Sequence, residues 1–368
     1  MAQSSGHSAQ GGGVKRILIT GGAGFVGSNL GLLLKRDFPD AAVIAFDNLR
    51  RRGSELALQR LKQGGVQFLH GDVRNPDDLA GVGEIDLILE CSAEPSVHAG
   101  YDGQTSYVIH TNLLGTVNCL ELARRHDAGL IFLSTSRVYP IKTLRSLPLI
   151  HEELRLALSP GQSGPGWGTD GISGDFPLQG IRSLYGATKL ASELFIEEYA
   201  GMYGLRTIIN RCGVLTGPWQ MGKVDQGFMV LWAARHLFGG ALSYNGFGGT
   251  GLQVRDILHV ADLYTLLIHQ IEHLDSLHGK TYNVGGGPAL SLSLAELTRK
   301  CEFFAGKSLS IGSNPATHEA DIPWYVTDNR LVTADTGWQP EYDTGRILEE
   351  IFSWLDKYRA QVEPVLTA

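Results

Sequence analysis

The sequence predicts an α/β protein, a doubly wound parallel sheet joined to a smaller C-terminal domain interleaved with it. Three observations predict this. A short apolar run at residues 14–20 feeds a glycine-rich turn and then an apolar pattern of helical period. Strand-like and helix-like stretches alternate through the first half of the chain, the pattern of a Rossmann-type sheet. From about Gly217 onward, Pro, Gly and aromatic residues break that alternation. The expected division is a polar, disordered tail at residues 1–13, a nucleotide-binding domain at 14–216, and a second, partly interleaved domain at 217–368.

Each element has a reason. After the first strand, Gly21, Gly24 and Gly27 stand in a GxxGxxG spacing, which differs from the GxGxxG fingerprint. It still suits a tight turn, close backbone approach and helix-on-strand packing, with a pyrophosphate resting on the helix N-terminus. Leu30, Leu32, Leu33 and Leu34 mark that helix. The next strand, 42–46, ends at Asp47, where a carboxylate is expected to bind a ribose diol. Strand, loop, helix, strand and acid in this order predict a dinucleotide, and the acid favours NAD because it repels the 2'-phosphate of NADP. Arg50, Arg51 and Arg52 read either as a cradle for such a phosphate or as a solvated turn.

Further strands are expected at 66–69, 86–89 and 130–133, and helices near 76–81, 107–126 and 184–203. Chemistry belongs at the carboxyl ends of such strands. Gly71-Asp72-Val73 is within reach of an adenine ring, and Cys91-Ser92-Ala93 of the pyrophosphate. Ser134-Thr135-Ser136 reads as a group that polarises a substrate carbonyl or as turn-capping hydroxyls. Arg211-Cys212-Gly213-Val214 closes another strand. On the 184–203 helix, Tyr185 and Lys189 are four residues apart and share a face, so an ammonium can favour the phenolate. Moving a phenol from near ~10 toward neutrality takes roughly 4 kcal/mol.

Composition fits a soluble cytoplasmic enzyme. The chain of 368 residues can bury a large core, and a net charge of -7 argues against a nucleic-acid partner. No apolar run reaches membrane-spanning length. Cys91, Cys119, Cys212 and Cys301 are far apart without a CxxC, the mark of reduced thiols. His269 and His273 lack an HExxH glutamate and a third ligand, so no metal is expected.

These residues resemble the extended short-chain dehydrogenase/reductase superfamily, in its nucleotide-sugar epimerase/dehydratase branch. The matching pieces are TGGAGFVGS at 20–28, FDN at 46–48, GDVRN at 71–75, NLLGTVNCLELA at 112–123, STSRVYP at 134–140, YGATK at 185–189 and QVRDILHVADL at 253–263. The resemblance implies a catalytic set of Thr135, Tyr185 and Lys189. Tyr185 is then the base, Lys189 lowers its pKa and binds the nicotinamide ribose, and Thr135 hydrogen-bonds the sugar oxygen. The expected cofactor contacts are Gly21, Gly24, Phe25, Val26, Gly27, Asp47, Asn48, Arg50, Asp72, Val73, Cys91, Ser92, Ala93, Asn112, Ser134, Tyr185, Lys189 and Val214. Substrate contacts are expected from Thr135, Ser136, Arg137, Gln226 and Arg255. Arg255 suits a diphosphate, with an internal pair to Asp256 as the alternative. The resemblance also implies a homodimer built on the 107–126 and 184–203 helices.

The branch divides by chemistry. Family dehydratases carry an Asp-Glu pair after the Thr, where this chain has Ser136 and Arg137, and the glutamate usual in decarboxylases is missing. Epimerisation of a nucleotide sugar by transient hydride transfer to NAD is therefore expected. Segments 46–55 and 224–228 and the long stretch between Tyr139 and Tyr185 resemble the CDP-paratose 2-epimerases, also called CDP-tyvelose epimerases, which favours a CDP-sugar. UDP-glucose-type 4-epimerisation needs the same triad and is the alternative, ahead of dehydration, decarboxylation or NAD binding without turnover. The Gly/Pro-rich stretch 159–168 reads as a substrate lid or a passive insertion. Glu90 stands where the family strand commonly ends in His, and Glu94 where Gln is more usual; either tunes the cofactor or hydrogen-bonds a loop.

Overall fold

The computed structural model describes residues 14–101, 103–224 and 226–367. The tail at 1–13 and Asp225 of the Asp-Gln-Gly segment lie outside the described residues. In chain order the strands that build the site are β1 (Arg16–Thr20), β2 (Ala42–Asp47), β3 (Gln67–His70), β4 (Leu87–Glu90), β5 (Gly129–Thr135), β6 (Thr207–Cys212), β7 (Val214–Thr216), β8 (Val254–His259), β9 (Lys280–Val284), β10 (Ser291–Ser293) and β11 (Trp324–Tyr325). The helices that matter most are α1 (Phe25–Asp37), α2 (Gly115–His126), α3 (Leu184–Tyr203) and α4 (Phe228–Phe238).

Seven strands form one parallel sheet in the order β9-β6-β5-β4-β1-β2-β3. Strands β1, β2, β4 and β5 are nearly continuous apolar runs because helices cover both faces. Strand alternation sends Ile17, Ile19, Val43 and Ala45 into one core with Leu30 and Leu34 of α1. Leu18, Ile44, Phe46 and Phe132 go into another with Leu120 of α2 and Ile196 of α3. The α/β expectation holds. The strand order turns back between β1 and β4, which opens a crevice at their carboxyl ends.

A second, mixed sheet runs β7-β8-β10, with β11 parallel to β8. Beside it α4 packs Met229, Val230 and Ala233 against Leu297 of the 294–305 helix and Ile351 and Leu355 of the 344–357 helix. The chain returns from β8 to supply edge strand β9 of the large sheet.

Three details differ from the sequence expectation. The strand read as ending at Val214 breaks at Gly213, whose N–H donates to Val284 O at 2.8 Å, so β6 and β7 belong to different sheets. The helix read at 107–126 contains a wider π-helical turn at His110–Leu114, a feature frequent at functional sites. The stretch between Tyr139 and Tyr185 forms two small hairpins pinned to the core: Ile172 and Phe176 are buried, Ile172 N–H donates to Val326 O, and Phe176 meets the Tyr139 ring edge-on. All four cysteines are free thiols. Among the described residues no helix is long and apolar enough to cross a membrane.

Candidate active site

Two cavities share the crevice. The first, about 490 Å³, lies over the glycine turn. Gly27 is required there by close packing: a Cβ would sit 2.3 Å from Gly21 O, so only glycine lets α1 start against the turn and aim its N-terminus into the cavity. Of the expected cofactor contacts, Gly21, Gly24, Phe25, Val26, Gly27, Asp47, Asn48, Arg50, Val73, Cys91, Ser92 and Ala93 line this space. The Asp47 carboxylate accepts from Leu49 N–H at 2.7 Å and Ala23 N–H at 3.1 Å. Burial pushes its pKa up, and those backbone donors oppose the rise. Arg50 lies 3.9 Å over the Tyr107 ring, while Arg51 donates to Met221 O and Arg52 to Pro364 O. The last two arginines tie the turn to distant backbone and also line this cavity, with Arg52 exposed.

The second cavity, about 570 Å³, continues past Phe25, Val26, Cys91 and Ala93. Ser134, Thr135, Ser136, Arg137, Tyr185, Lys189, Val214, Gln226 and Arg255 all line it. The meeting of Tyr185 and Thr135 has a local cause. Ser183 caps α3 by accepting from Gly186 N–H at 3.3 Å. A Cβ on Gly186 would stand 2.1 Å from Arg137 O, so glycine lets the first turn of α3 press against the turn that follows β5. Burial raises the Tyr185 pKa, and the hydrogen bond from Thr135 and then the Arg137 charge oppose it. Lys189 places its ammonium 3.9 Å from Glu90 Oε2 and 3.8 Å over the Phe132 ring.

A buried network holds this wall. Ser134 Oγ donates a short hydrogen bond to Glu193, one turn beyond Lys189. Arg211 on β6 donates to Glu193 at 2.8 and 3.0 Å and to Tyr139 Oη at 3.3 Å. Burial disfavours the Arg211 charge, but Glu193 outweighs it and holds the guanidinium above its ordinary range. Strands β5 and β6 and helix α3 are thereby locked together under Thr135.

Other expected contacts fall elsewhere. Asn112 is buried behind the 91–96 loop, where it accepts from Glu94 N–H at 2.8 Å and donates to Glu94 O and Thr188 Oγ1. It holds the loop and lines neither cavity. Asp72 also stays off the lining: it pairs with Arg74 and Asn48, and the Arg74 hydrogen bond leads in holding its pKa down to about 2. Glu94 does line the first cavity, and its carboxylate accepts from Ser96 N–H. Segment 159–168 lines neither cavity. Arg255 donates to Val254 O and Ile322 O, while Asp256, on the opposite face of β8, accepts from Gly287 N–H. Burial lowers the Arg255 pKa to about 9, with Arg137 adding to the effect.

Sequence reading missed the far wall of the second cavity, including Phe228, Leu231, Trp232, Arg235, Asn245, Phe247 and Leu292. It also missed His98 and Asp321, whose side chains lie 3.6 Å apart. The QVRDILHVADL match marks only Gln253 and Arg255 of that wall.

Residues 17–285 match the NAD dependent epimerase/dehydratase family. The chain belongs to that family. Its cofactor is NAD. This epimerase/dehydratase family member is 29% identical over 351 residues to CDP-paratose 2-epimerase of Salmonella typhi, covering 92% of this chain and 98% of that protein. Among solved structures it is similar to dTDP-glucose 4,6-dehydratase of Bacillus anthracis in complex with NAD. That likeness has a TM-score of 0.74 at 25% identity and covers 95% of this chain and 99% of the other. It also shares the fold of UDP-glucuronic acid 4-epimerase of Bacillus cereus, with a TM-score of 0.77 at 22% identity over 93% of this chain and 99% of the other.

Proposed function

We propose that this family member is a nucleotide-sugar epimerase of the CDP-paratose 2-epimerase type, acting on a CDP-sugar. The observation that supports the reading is the wall made by Thr135, Ser136, Arg137 and Tyr185, which line one cavity, with Ser136 and Arg137 at the positions where the family's dehydratases carry an Asp-Glu pair. The near full-length similarity to a CDP-paratose 2-epimerase supports the same choice.

The residues of the first cavity suit NAD: a glycine cradle that a Cβ would fill, a helix N-terminus for the pyrophosphate, and Asp47 at the ribose position. Bound NAD supplies an acceptor that takes a hydride from a sugar carbon and returns it to the other face. Tyr185 accepts the proton of the hydroxyl on that carbon and later gives it back. Thr135 donates a hydrogen bond to the same oxygen, and the Lys189 ammonium favours the phenolate between the two steps. Lys189 holds the nicotinamide ribose. Arg255 offers its planar fork to the diphosphate, and the apolar wall at Phe228, Leu231 and Trp232 takes the rest of the nucleotide.

On this reading residues 14–216 form the NAD domain and 217–368 mainly the nucleotide-sugar domain. The protein works as a homodimer, since Leu194, Phe195, Met202 and Tyr203 of α3 and the neighbouring Leu114 expose an apolar face. The test is to incubate the protein with CDP-, UDP-, GDP- and dTDP-hexoses and follow each ring proton by NMR. Inversion at one carbon, fastest with a CDP-sugar, is expected. Loss of water or carbon dioxide, or inversion only of UDP-sugars, would overturn the assignment.

A further inference from the structure

The cofactor and substrate cavities meet over the carboxyl end of β4, where Cys91 and Ala93 line both. Glu90, the last residue of that strand, is 0% exposed beneath the junction, and Lys189 is 2% exposed. Glu90 Oε2 lies 3.9 Å from Lys189 Nζ. Ser92 Oγ donates to Glu90 Oε1 at 2.6 Å, and Thr116 Oγ1 to Oε2 at 3.5 Å. The Phe132 ring that supports the ammonium belongs to the residue paired with Glu90 across β4 and β5.

The other groups facing Lys189 do not compete for its charge. Glu193, one turn along α3, is engaged by Arg211. Cys91 on β4 and Cys212 on β6 are thiols that burial pushes up, Cys212 to about 12, so they remain neutral; Cys119, beside Glu90 on α2, is raised in the same way. The Tyr185 phenol is likewise raised by burial. An ammonium stripped of water is unstable without a partner, and Glu90 is the carboxylate placed to provide one.

We propose that Glu90 is a positioning residue, the fixed counter-ion that keeps Lys189 charged and in place beneath the junction of the two cavities. This rests on the assignment of Thr135, Tyr185 and Lys189 as the reacting set. Burial pushes Lys189 below its ordinary range and Glu90 above its own, and the charge of each partner opposes the shift of the other.

The test reads the proton on Lys189 directly. The full-length protein holding NAD is labelled with 15N at lysine Nζ, the Lys189 resonance is assigned by its loss in Lys189→Arg, and its shift is followed with pH. Glu90→Gln keeps the volume and an acceptor for Ser92 but removes the charge. The midpoint for Lys189 should fall by at least about one pH unit in that variant. In Glu90→Asp, which withdraws the charge by one methylene, it should lie between the two. A Glu90→Gln midpoint that coincides with wild type overturns the proposal. Should Glu90→Gln fail to fold, Glu90→Asp decides alone: a lower midpoint supports the counter-ion and an unchanged one refutes it. The readout is protonation rather than turnover, so it stands apart from the sugar panel, whose failure would refute the epimerase reading instead.

Discussion

The cofactor cavity and the substrate cavity share a wall but are assembled in opposite ways. The first is made largely of short contiguous pieces at strand ends: 21–27, 46–54, 71–73 and 91–95. The second gathers residues from Phe25 to Asp321, with one wall on β5 and α3 and the other on α4 and the loops around it. A cavity built from local turns has its geometry written into spacing. A cavity built between layers depends on how the layers pack, and evolution can change its ligand without touching the cofactor.

If the two halves are separable, substitutions in one should leave the other intact. The largest effect is expected from Tyr185→Phe, which should lower turnover at least a hundredfold while calorimetry finds NAD affinity unchanged. Loss of NAD binding in that variant would mean that the halves are not independent. Gly27→Ala should do the converse and weaken NAD more than tenfold, because its Cβ would meet Gly21 O at 2.3 Å. Arg255→Ala should raise the sugar KM about tenfold, the scale of a lost charge-assisted hydrogen bond, with little change in NAD affinity. Equal effects on both ligands would take Arg255 out of the substrate half.

The smallest effect lies outside both cavities and serves as a control. His259 is buried at the end of β8, and burial lowers its pKa to about 4. Its ring lies 3.5 Å from Glu350, a pairing that counts only for a charged ring, and burial favours the neutral one. The unfolded chain takes up a proton near ~6.5 and the folded chain does not. Stability should therefore fall as pH drops from that value toward about 4, by at most about 3 kcal/mol. His259→Gln should flatten this part of the stability profile in thermal melts, with NAD and sugar binding unmoved.

The same contrast explains what could be read from sequence. Gly21, Gly24, Gly27 and Asp47 were legible because a strand, a turn and a helix fix their relative places within one stretch of chain. Tyr185 and Lys189 were legible because helical spacing puts them on one face. Trp232 was not, since an aromatic on an apolar helix looks the same whether it fills a core or lines a cavity, and here it does both. Asn112 was read as a cofactor contact, and sequence cannot tell a residue that touches a ligand from one that holds the loop that does. Glu90 stood out as unusual, but its partner is 99 positions away (189 − 90) and meets it only once α3 packs on β5. The NAD choice followed from a single acid at the end of β2, and membership of an NAD dependent family agrees with it.

The central claim is that one sugar carbon is oxidised and reduced within a closed site. The most direct measurement is to run the reaction on a CDP-sugar in deuterated water and follow the ring protons by NMR. The account predicts inversion at one carbon with its original hydrogen retained and no deuterium at any ring position. Deuterium at the inverted carbon or its neighbour would contradict it, since that would mean proton loss to solvent rather than return of a hydride.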